Sequence, residues 1–285
     1  MSLSALVDLH LHTTASDGQL SPTRLVDMLA ARGLRVAAIT DHDTTAGMEE
    51  ALQAAHRYPA LTIIPGVELS TDVPGGEIHL LGYLSNYNDP HLQDALRRFR
   101  EGREVRGRRI VEKLAELGMP IEWERVRELA GDGAVGRPHV ARAMVEKGYV
   151  SQIPEAFTKY IGRDGPAYVE RLKLTPEEAV RLVVETGGLP VLAHPAEVAE
   201  LDTVLVSLKA AGLVGMEVYY AQYPAPKRSR LAEAARRHDL LPCGGSDYHA
   251  FGTPEEAAPG DLGPPLELAE ELMRRVGMRL PTRGQ

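Results

Sequence analysis

Short apolar runs alternate with stretches of helical periodicity along most of the chain. The runs at 5–9, 36–39, 61–64, 78–81, 189–193, 214–218 and 240–244 have the length and composition of buried strands. Between them the helical signals are local and specific. Ser21-Pro22 is an N-cap followed by proline at the first helical position. Leu25, Val26, Leu29 and Ala30 then recur at helical spacing up to Gly33. A second helix is expected over 45–56. Thr175-Pro176-Glu177-Glu178 is a capping box, and the helix it opens stops at Gly187-Gly188. Further helices are expected at 197–211, 226–238 and 266–276. Repeated strand–helix units with apolar strands predict an α/β fold with a parallel sheet, and seven strands favour closure into a barrel. Reactive groups in such barrels collect at the C-terminal ends of the strands.

The rhythm breaks between 90 and 168. That stretch reads as almost wholly helical, with its longest helix near 91–117. The chain therefore divides into a barrel domain, 1–89 with 169–285, and a helical insertion, 90–168, over the barrel mouth.

The chain has 285 residues, enough for one large core. No run reaches the roughly 20 apolar residues a membrane span needs, and no secretory signal is evident, so a cytoplasmic protein is expected. The single cysteine, Cys243, excludes an internal disulfide framework and a Cys-based zinc knuckle. It sits in an apolar strand run, where a buried inert thiol is the expectation. The net charge of −8 argues against broad binding of duplex nucleic acid. That average hides an asymmetry: residues 97–163 carry 15 Lys and Arg against 10 Asp and Glu. The basic segment can face an anionic substrate, or simply be a solvated helical surface.

Against this background the histidines and carboxylates stand out. His10 and His12 lie one residue apart at the end of the first strand run, so their side chains share a face. Asp17, His42, Glu68, His79, His194, Asp247 and His249 follow, most of them at or just after a strand run. His56, His91 and His238 lie in polar helical contexts and read as surface residues. Neutral imidazoles with carboxylates suit zinc, manganese or iron, and a carboxylate can bridge two ions. Without a thiolate, a closed structural zinc site is not expected.

The order and spacing of Asp8-Leu9-His10-Leu11-His12-Thr13, Thr40-Asp41-His42-Asp43, Gly66-Val67-Glu68-Leu69-Ser70, Ala193-His194-Pro195 and Gly245-Ser246-Asp247-Tyr248-His249 resemble the polymerase-and-histidinol-phosphatase (PHP) family of metal-dependent phosphoesterases. The resemblance covers nearly the whole chain. It implies a distorted (β/α)7 barrel holding up to three divalent ions. It places His10, His12, Glu68 and Asp247 on the first ion. Glu68, as a bridge, His79 and His194 would hold the second, and Asp17, His42 and His249 the third. Asp41 and Asp43 are expected to support these ligands. Asp17 stands where the histidinol-phosphate branch usually has histidine, which counts against that substrate. The helical insertion looks like the nucleotide-directed, TrpH-like branch, which dephosphorylates nucleoside 3′,5′-bisphosphates and trims short RNA from the 5′ end.

Within the insertion, Gly136-Arg137-Pro138-His139 and the pair Arg103 and Arg106 resemble that branch. Arg137 and His139 fit phosphate binding, because a guanidinium fork matches phosphate oxygens. The plain alternative is a helix start. Ser70 is expected to line the site. Adjacent divalent ions bring a bridging water near neutral pKa, and that hydroxide is the expected nucleophile. His194 or a metal-held water is the candidate general acid. No G-x-x-x-x-G-K loop is present, which disfavours an NTPase. The other readings are a phosphatase for a small metabolite such as histidinol phosphate, a non-catalytic metal-binding module, and a deaminase or amidohydrolase. The last would usually offer a lysine bridge, and no lysine falls at a strand end. The expected partner is a small phosphorylated substrate, with no membrane or obligate protein partner.

Overall fold

The computed structural model describes residues 5–73, 76–131, 133–170, 174–254 and 256–278. Its frame is a seven-stranded sheet in sequential order: β1 (Val7–Asp8), β2 (Val36–Ile39), β3 (Thr62–Val73), β4 (Gly76–Tyr83), β5 (Leu189–Leu192), β6 (Gly215–Glu217) and β7 (Leu241–Cys243). The sheet curls until its ends meet. The Leu9 N–H donates to the Gly244 carbonyl at 3.2 Å, and Leu11 bridges in parallel to Tyr248. Helices α1 (Pro22–Ala31) and α2 (Met48–Ala55) cover one outer flank, burying Leu25, Leu29 and Met48 against Ala37, Ile39 and Ile63. Helices α7 (Pro176–Glu185), α8 (Leu201–Ala211) and α9 (Ala225–Arg237) cover the other. The C-terminal α10 (Leu266–Arg275) packs Ala269, Leu272 and Met273 against Val7, Leu9, Tyr83 and Val191.

The all-parallel sheet does not hold. β3 pairs antiparallel with β4, and β4 antiparallel with β5; the other neighbours are parallel. Only two residues separate β3 from β4, whereas a parallel crossover needs a dozen or more. The strand expected at 61–64 is longer than its apolar run. β3 runs on to Val73, and Gly66 tolerates no side chain there. A Cβ at Gly66 would sit 2.9 Å from the Ile39 carbonyl oxygen. The helix expected from 197 starts at Leu201, because Glu200 has φ 50°, outside the helical region.

Between β4 and β5 the chain is helical: α3 (Pro90–Glu116), α4 (Trp123–Ala130), α5 (Arg137–Glu146) and α6 (Ile153–Ala156), the last running into a π-helical turn at Phe157–Ile161. α3 serves two cores. Leu92 and Leu96 pack with the sheet, while Ile110, Val111 and Leu114 join a cluster drawn from residues 110–169. This segment rests on the loop after β1. The Ala134 N–H donates to the Ala15 carbonyl at 3.0 Å, and a Cβ on Gly133 would meet the Thr14 carbonyl oxygen at 2.5 Å. Among the described residues no helix is long and apolar enough to cross a membrane.

Candidate metal centre and its cavity

Backbone pairing beyond the strand ends assembles the site. The Asp247 N–H donates to the His10 carbonyl at 2.9 Å, and the His12 N–H to the Tyr248 carbonyl at 3.0 Å, so 10–12 and 247–249 run side by side. His42 and Glu68 form an isolated parallel bridge. Glu68 on β3 and His79 on β4 project to one place, His79 Nδ1 lying 2.9 Å from Glu68 Oε1. Three of the converging or adjoining residues, Asp43, His194 and Asp247, hold positive φ values of 52°, 27° and 55°. Non-glycine residues in that region signal local strain and concentrate at functional sites.

The centre of the cluster is the Glu68 carboxylate, which is 1% exposed. Oε2 faces His10 Nε2 at 3.2 Å, His12 Nε2 at 3.2 Å and His42 Nδ1 at 3.1 Å. Oε1 faces His79 Nδ1 and His194 Nε2, the latter at 3.2 Å. Asp247 Oδ1 lies 3.3 Å from His10 Nε2 and 3.1 Å from His12 Nε2. Asp17 sits on the far side of His12, 3.4 Å from His249 Nε2, 3.8 Å from His12 Nδ1 and 3.9 Å from His42 Nε2. All nine sequence candidates are thus brought together. Three tight groups emerge among the described residues: His10, His12, Glu68 and Asp247; His42, Glu68 and His79; and His12, Asp17, His42 and His249. His12, His42 and Glu68 each belong to two groups, and His194 adjoins them through Glu68 and through its ring contacts with His10 and His79.

The donor atoms test whether cations fit. His12 Nδ1 and Nε2, His42 Nδ1 and Asp17 Oδ1 are buried without a hydrogen-bond partner of acceptable geometry. Buried polar atoms are normally paired, and orphans gathered in one cluster of imidazoles and carboxylates fit the donors of coordination shells. The donor set, nitrogen and oxygen with no thiolate, fits divalent zinc, manganese or iron.

Electrostatics point the same way. Burial would drive His12 and His79 towards neutrality. The carboxylates of Asp247 and Glu68 beside His12, and of Glu68 and Glu77 beside His79, override it and raise them to about 10 and about 9. Burial likewise opposes charge on His10, but Asp247, Glu217 and Glu68 hold it well above its usual value. His42 is the exception: burial pushes it down to about 3, against the pull of Glu68 and Asp17. Burial would raise Glu68 and Asp17, yet the surrounding imidazoles, His42 foremost for both, hold both carboxyls well below the usual range. The carboxylates are kept ionised by positive charge beside them, which the imidazoles supply and which divalent cations would supply in their place.

Supporting residues fix the ligands. Asp41 accepts from the Thr13 N–H at 2.7 Å, the Thr13 hydroxyl at 2.7 Å and the Ser16 hydroxyl at 2.6 Å, which anchors the loop carrying Asp17. The Tyr220 hydroxyl donates to Asp247 Oδ2 at 2.8 Å. Glu217, fully buried at the end of β6, was not anticipated. Its Oε1 lies 3.1 Å from His10 Nδ1, and its Oε2 accepts the His194 N–H at 2.7 Å. The one signal for it was a lone carboxylate inside an apolar run, Val214 to Val218.

A cavity of about 220 Å³ joins the cluster to the helical segment. Asp17, His42, His79 and His249 line it together with Ser70, Arg103, Arg106 and Arg137. Arg103 donates to Asp43 Oδ2 at 2.5 Å and to the Ser70 hydroxyl at 2.8 Å. Arg137 donates to Glu77 Oε2 at 2.6 Å and lies over the Phe157 ring. Arg106 is more deeply engaged, donating to the Val169 carbonyl at 2.7 Å and reaching Glu77 at 3.5 Å. His139 lies elsewhere: it lines a neighbouring cavity, and its Nδ1 accepts the Gly136 N–H at 2.9 Å. Burial lowers it to about 4, so it is neutral and suited to accept that bond.

Comparison with known proteins adds independent findings. The PHP domain model matches residues 8–95. The chain is 38% identical to the 5′-3′ exoribonuclease Rnm of Salmonella typhimurium over 86% of each chain. It is 34% identical to the 3′,5′-nucleoside bisphosphate phosphatase of Chromobacterium violaceum, over 87% of this chain and 88% of that one. A solved structure from Bifidobacterium adolescentis, described as a metal-dependent phosphoesterase, superposes with a TM-score of 0.86 at 31% identity, covering 94% of this chain and 96% of the other.

Proposed function

The chain belongs to the PHP family of metal-dependent phosphoesterases, and from that premise we propose that it hydrolyses phosphate esters of nucleotides: nucleoside 3′,5′-bisphosphates, short 5′-phosphorylated oligoribonucleotides, or both. The observation that carries this reading is the shared cavity. His42 and His79, two of the five imidazoles around Glu68, line the same space as His249 and the guanidinium groups of Arg103 and Arg137. His10, His12, Asp17, His42, Glu68, His79, His194, Asp247 and His249 are the residues that would hold the metal. Divalent cations bound there supply Lewis acidity and bring water near neutral pKa.

The remaining work falls to the chain itself. Arg103, fixed by Asp43 and Ser70, and Arg137, fixed by Glu77, present forked donors that match phosphate oxygens and offset charge that develops on them. Pre-aimed forks of this kind lose little entropy when a phosphate arrives. Residues 90–168 act as the substrate-facing subdomain, since they supply Arg103, Arg106 and Arg137 to the cavity.

Manganese-loaded protein incubated with adenosine 3′,5′-bisphosphate, histidinol phosphate and a short 5′-phosphorylated RNA, with released phosphate and nucleoside monophosphate measured, tests the reading. Turnover of the nucleotide substrates is the expected result. Turnover of histidinol phosphate alone overturns the nucleotide assignment, and no turnover of any ester reduces the protein to a metal-binding module.

A further inference from the structure

The chain has only three phenylalanines, and two of them, Phe157 and Phe251, line the cavity described above. The third, Phe99, packs against the sheet core. Phe251 continues a column of rings that begins inside the metal cluster. His12 stacks on His249 with centroids 4.1 Å apart at 12°, and His249 stacks on Phe251 at 5.0 Å and 17°. The loop bearing Phe251 is clamped: Glu256 accepts the N–H groups of His249 at 2.9 Å, Phe251 at 3.1 Å and Gly252 at 2.9 Å. Phe157 is fixed from another side, with the Arg137 guanidinium 5.3 Å over its ring. One ring is thus tied to the metal cluster and the other to a phosphate-facing arginine.

We propose that Phe251 and Phe157 form a stacking platform for the nucleobase next to the reacting phosphate, holding it by its face and not by its hydrogen-bonding edge. This deepens the nucleotide reading and rests on it. Every base has a π-face, whereas edge recognition needs placed amide donors and acceptors. Among the described residues lining the cavity there is no Asn or Gln, and the hydroxyl of Ser70 and the carboxylate of Glu77 are engaged with Arg103 and Arg137. Ile110, Val135 and Pro138 complete an apolar wall.

The experiment compares kcat/KM for the four ribonucleoside 3′,5′-bisphosphates and for a base-free ribose 3,5-bisphosphate, on wild-type manganese-loaded protein and on Phe251→Ala and Phe251→Tyr. The four bases should agree within about tenfold. Each should exceed the base-free compound by about 5- to 150-fold, the range of a base–aromatic stack. Phe251→Ala should lose most of that advantage, chiefly through KM, and Phe251→Tyr should retain it. Wild-type protein that turns over the base-free compound as well as the nucleotides overturns the platform and leaves the phosphoesterase reading intact. A Phe251→Ala loss that is equal on both kinds of substrate also overturns it, showing support of His249 alone. No turnover of any bisphosphate overturns the nucleotide reading beneath it. The wild-type comparison stands whether or not either variant folds.

Discussion

Glu217 gives the sharpest test of how the cluster is held. Its two carboxylate oxygens serve different donors: Oε1 meets His10 Nδ1 at 3.1 Å and Oε2 accepts the His194 N–H at 2.7 Å. With Nδ1–H directed at Glu217, His10 keeps the Nε2 lone pair for a cation beside Glu68 and Asp247. Glutamine has nearly the same shape but only one acceptor oxygen. In Glu217→Gln the amide NH₂ faces either the His194 N–H, donor against donor in a fully buried site, or His10 Nδ1, which can accept only by giving up its proton and losing the tautomer that leaves Nε2 free. An unsatisfied buried donor costs about 1–3 kcal/mol, and for a chain of this size that lowers Tm by roughly 2–5 °C. Loss of a partner behind a metal-ligating histidine typically weakens metal affinity about 10- to 100-fold. Titration of the chelated protein with Mn²⁺ or Zn²⁺ by calorimetry, alongside thermal melts with and without metal, separates the two effects. The Tm deficit should persist without metal and widen with it. Unchanged metal affinity would refute the claim that Glu217 sets the His10 tautomer, and an unchanged metal-free Tm would refute the donor-against-donor argument.

Two further outcomes follow from neighbouring groups. Asp41→Ala removes three charge-assisted hydrogen bonds from the Asp17 loop and leaves the Thr13 N–H buried and unpaired. It should cost about 3–5 kcal/mol in chemical denaturation, far above an ordinary surface change, and a loss below 1 kcal/mol would contradict this account. Cys243 is buried, and its thiol is pushed up to about 12 by that burial, with Glu217 adding to it. The thiolate is the reactive form, so native protein should resist alkylation from pH 7 to 9 and react only when unfolded; prompt labelling of folded protein at pH 7 would overturn the assignment.

What the sequence made legible follows from the range of each interaction. Caps and periodicity are local, so the Thr175 capping box appears as expected: the Glu178 N–H donates to the Thr175 hydroxyl at 3.3 Å, and the Thr175 N–H to Glu178 Oε2 at 2.8 Å. Most of the nine metal-site candidates follow a strand run, so pairing just beyond the strand ends gathers them, while Glu68 and His79 meet from within β3 and β4. The β3–β4 hairpin was not legible, because Pro65 and Gly66 punctuate a strand whose continuity depends on Glu68 pairing across to Leu81. His139 was read as a phosphate ligand, and the structure shows the local demand that competes for it. Gly136 precedes α5 and has no side chain to cap it, so the ring turns back to the Gly136 N–H. Glu77 lies 29 residues from Arg106 and 60 from Arg137, and no local pattern encodes pairs that distant.

The strained residues explain why the cluster is rigid enough to be read at all. Asp43, His194 and Asp247 occupy the left-handed region, at a cost of order 1–3 kcal/mol each, which together is a large share of the roughly 5–15 kcal/mol that holds a domain folded. Glycine would remove that cost at each position, but it would remove a carboxylate or imidazole with it. The backbone offsets the strain locally. The Asp43 N–H donates to the Glu68 carbonyl at 2.9 Å, the His194 N–H to Glu217, and the Asp247 N–H to the His10 carbonyl. Two of these three bonds end on the backbone of another residue of the cluster, and the third on the carboxylate that orients His10. The strand ends therefore do not merely bring the donor atoms near one another. They lock one another's conformation, so that displacing any one of Glu68, His194 or Asp247 releases strain at its neighbour and shifts a second group of donors as well.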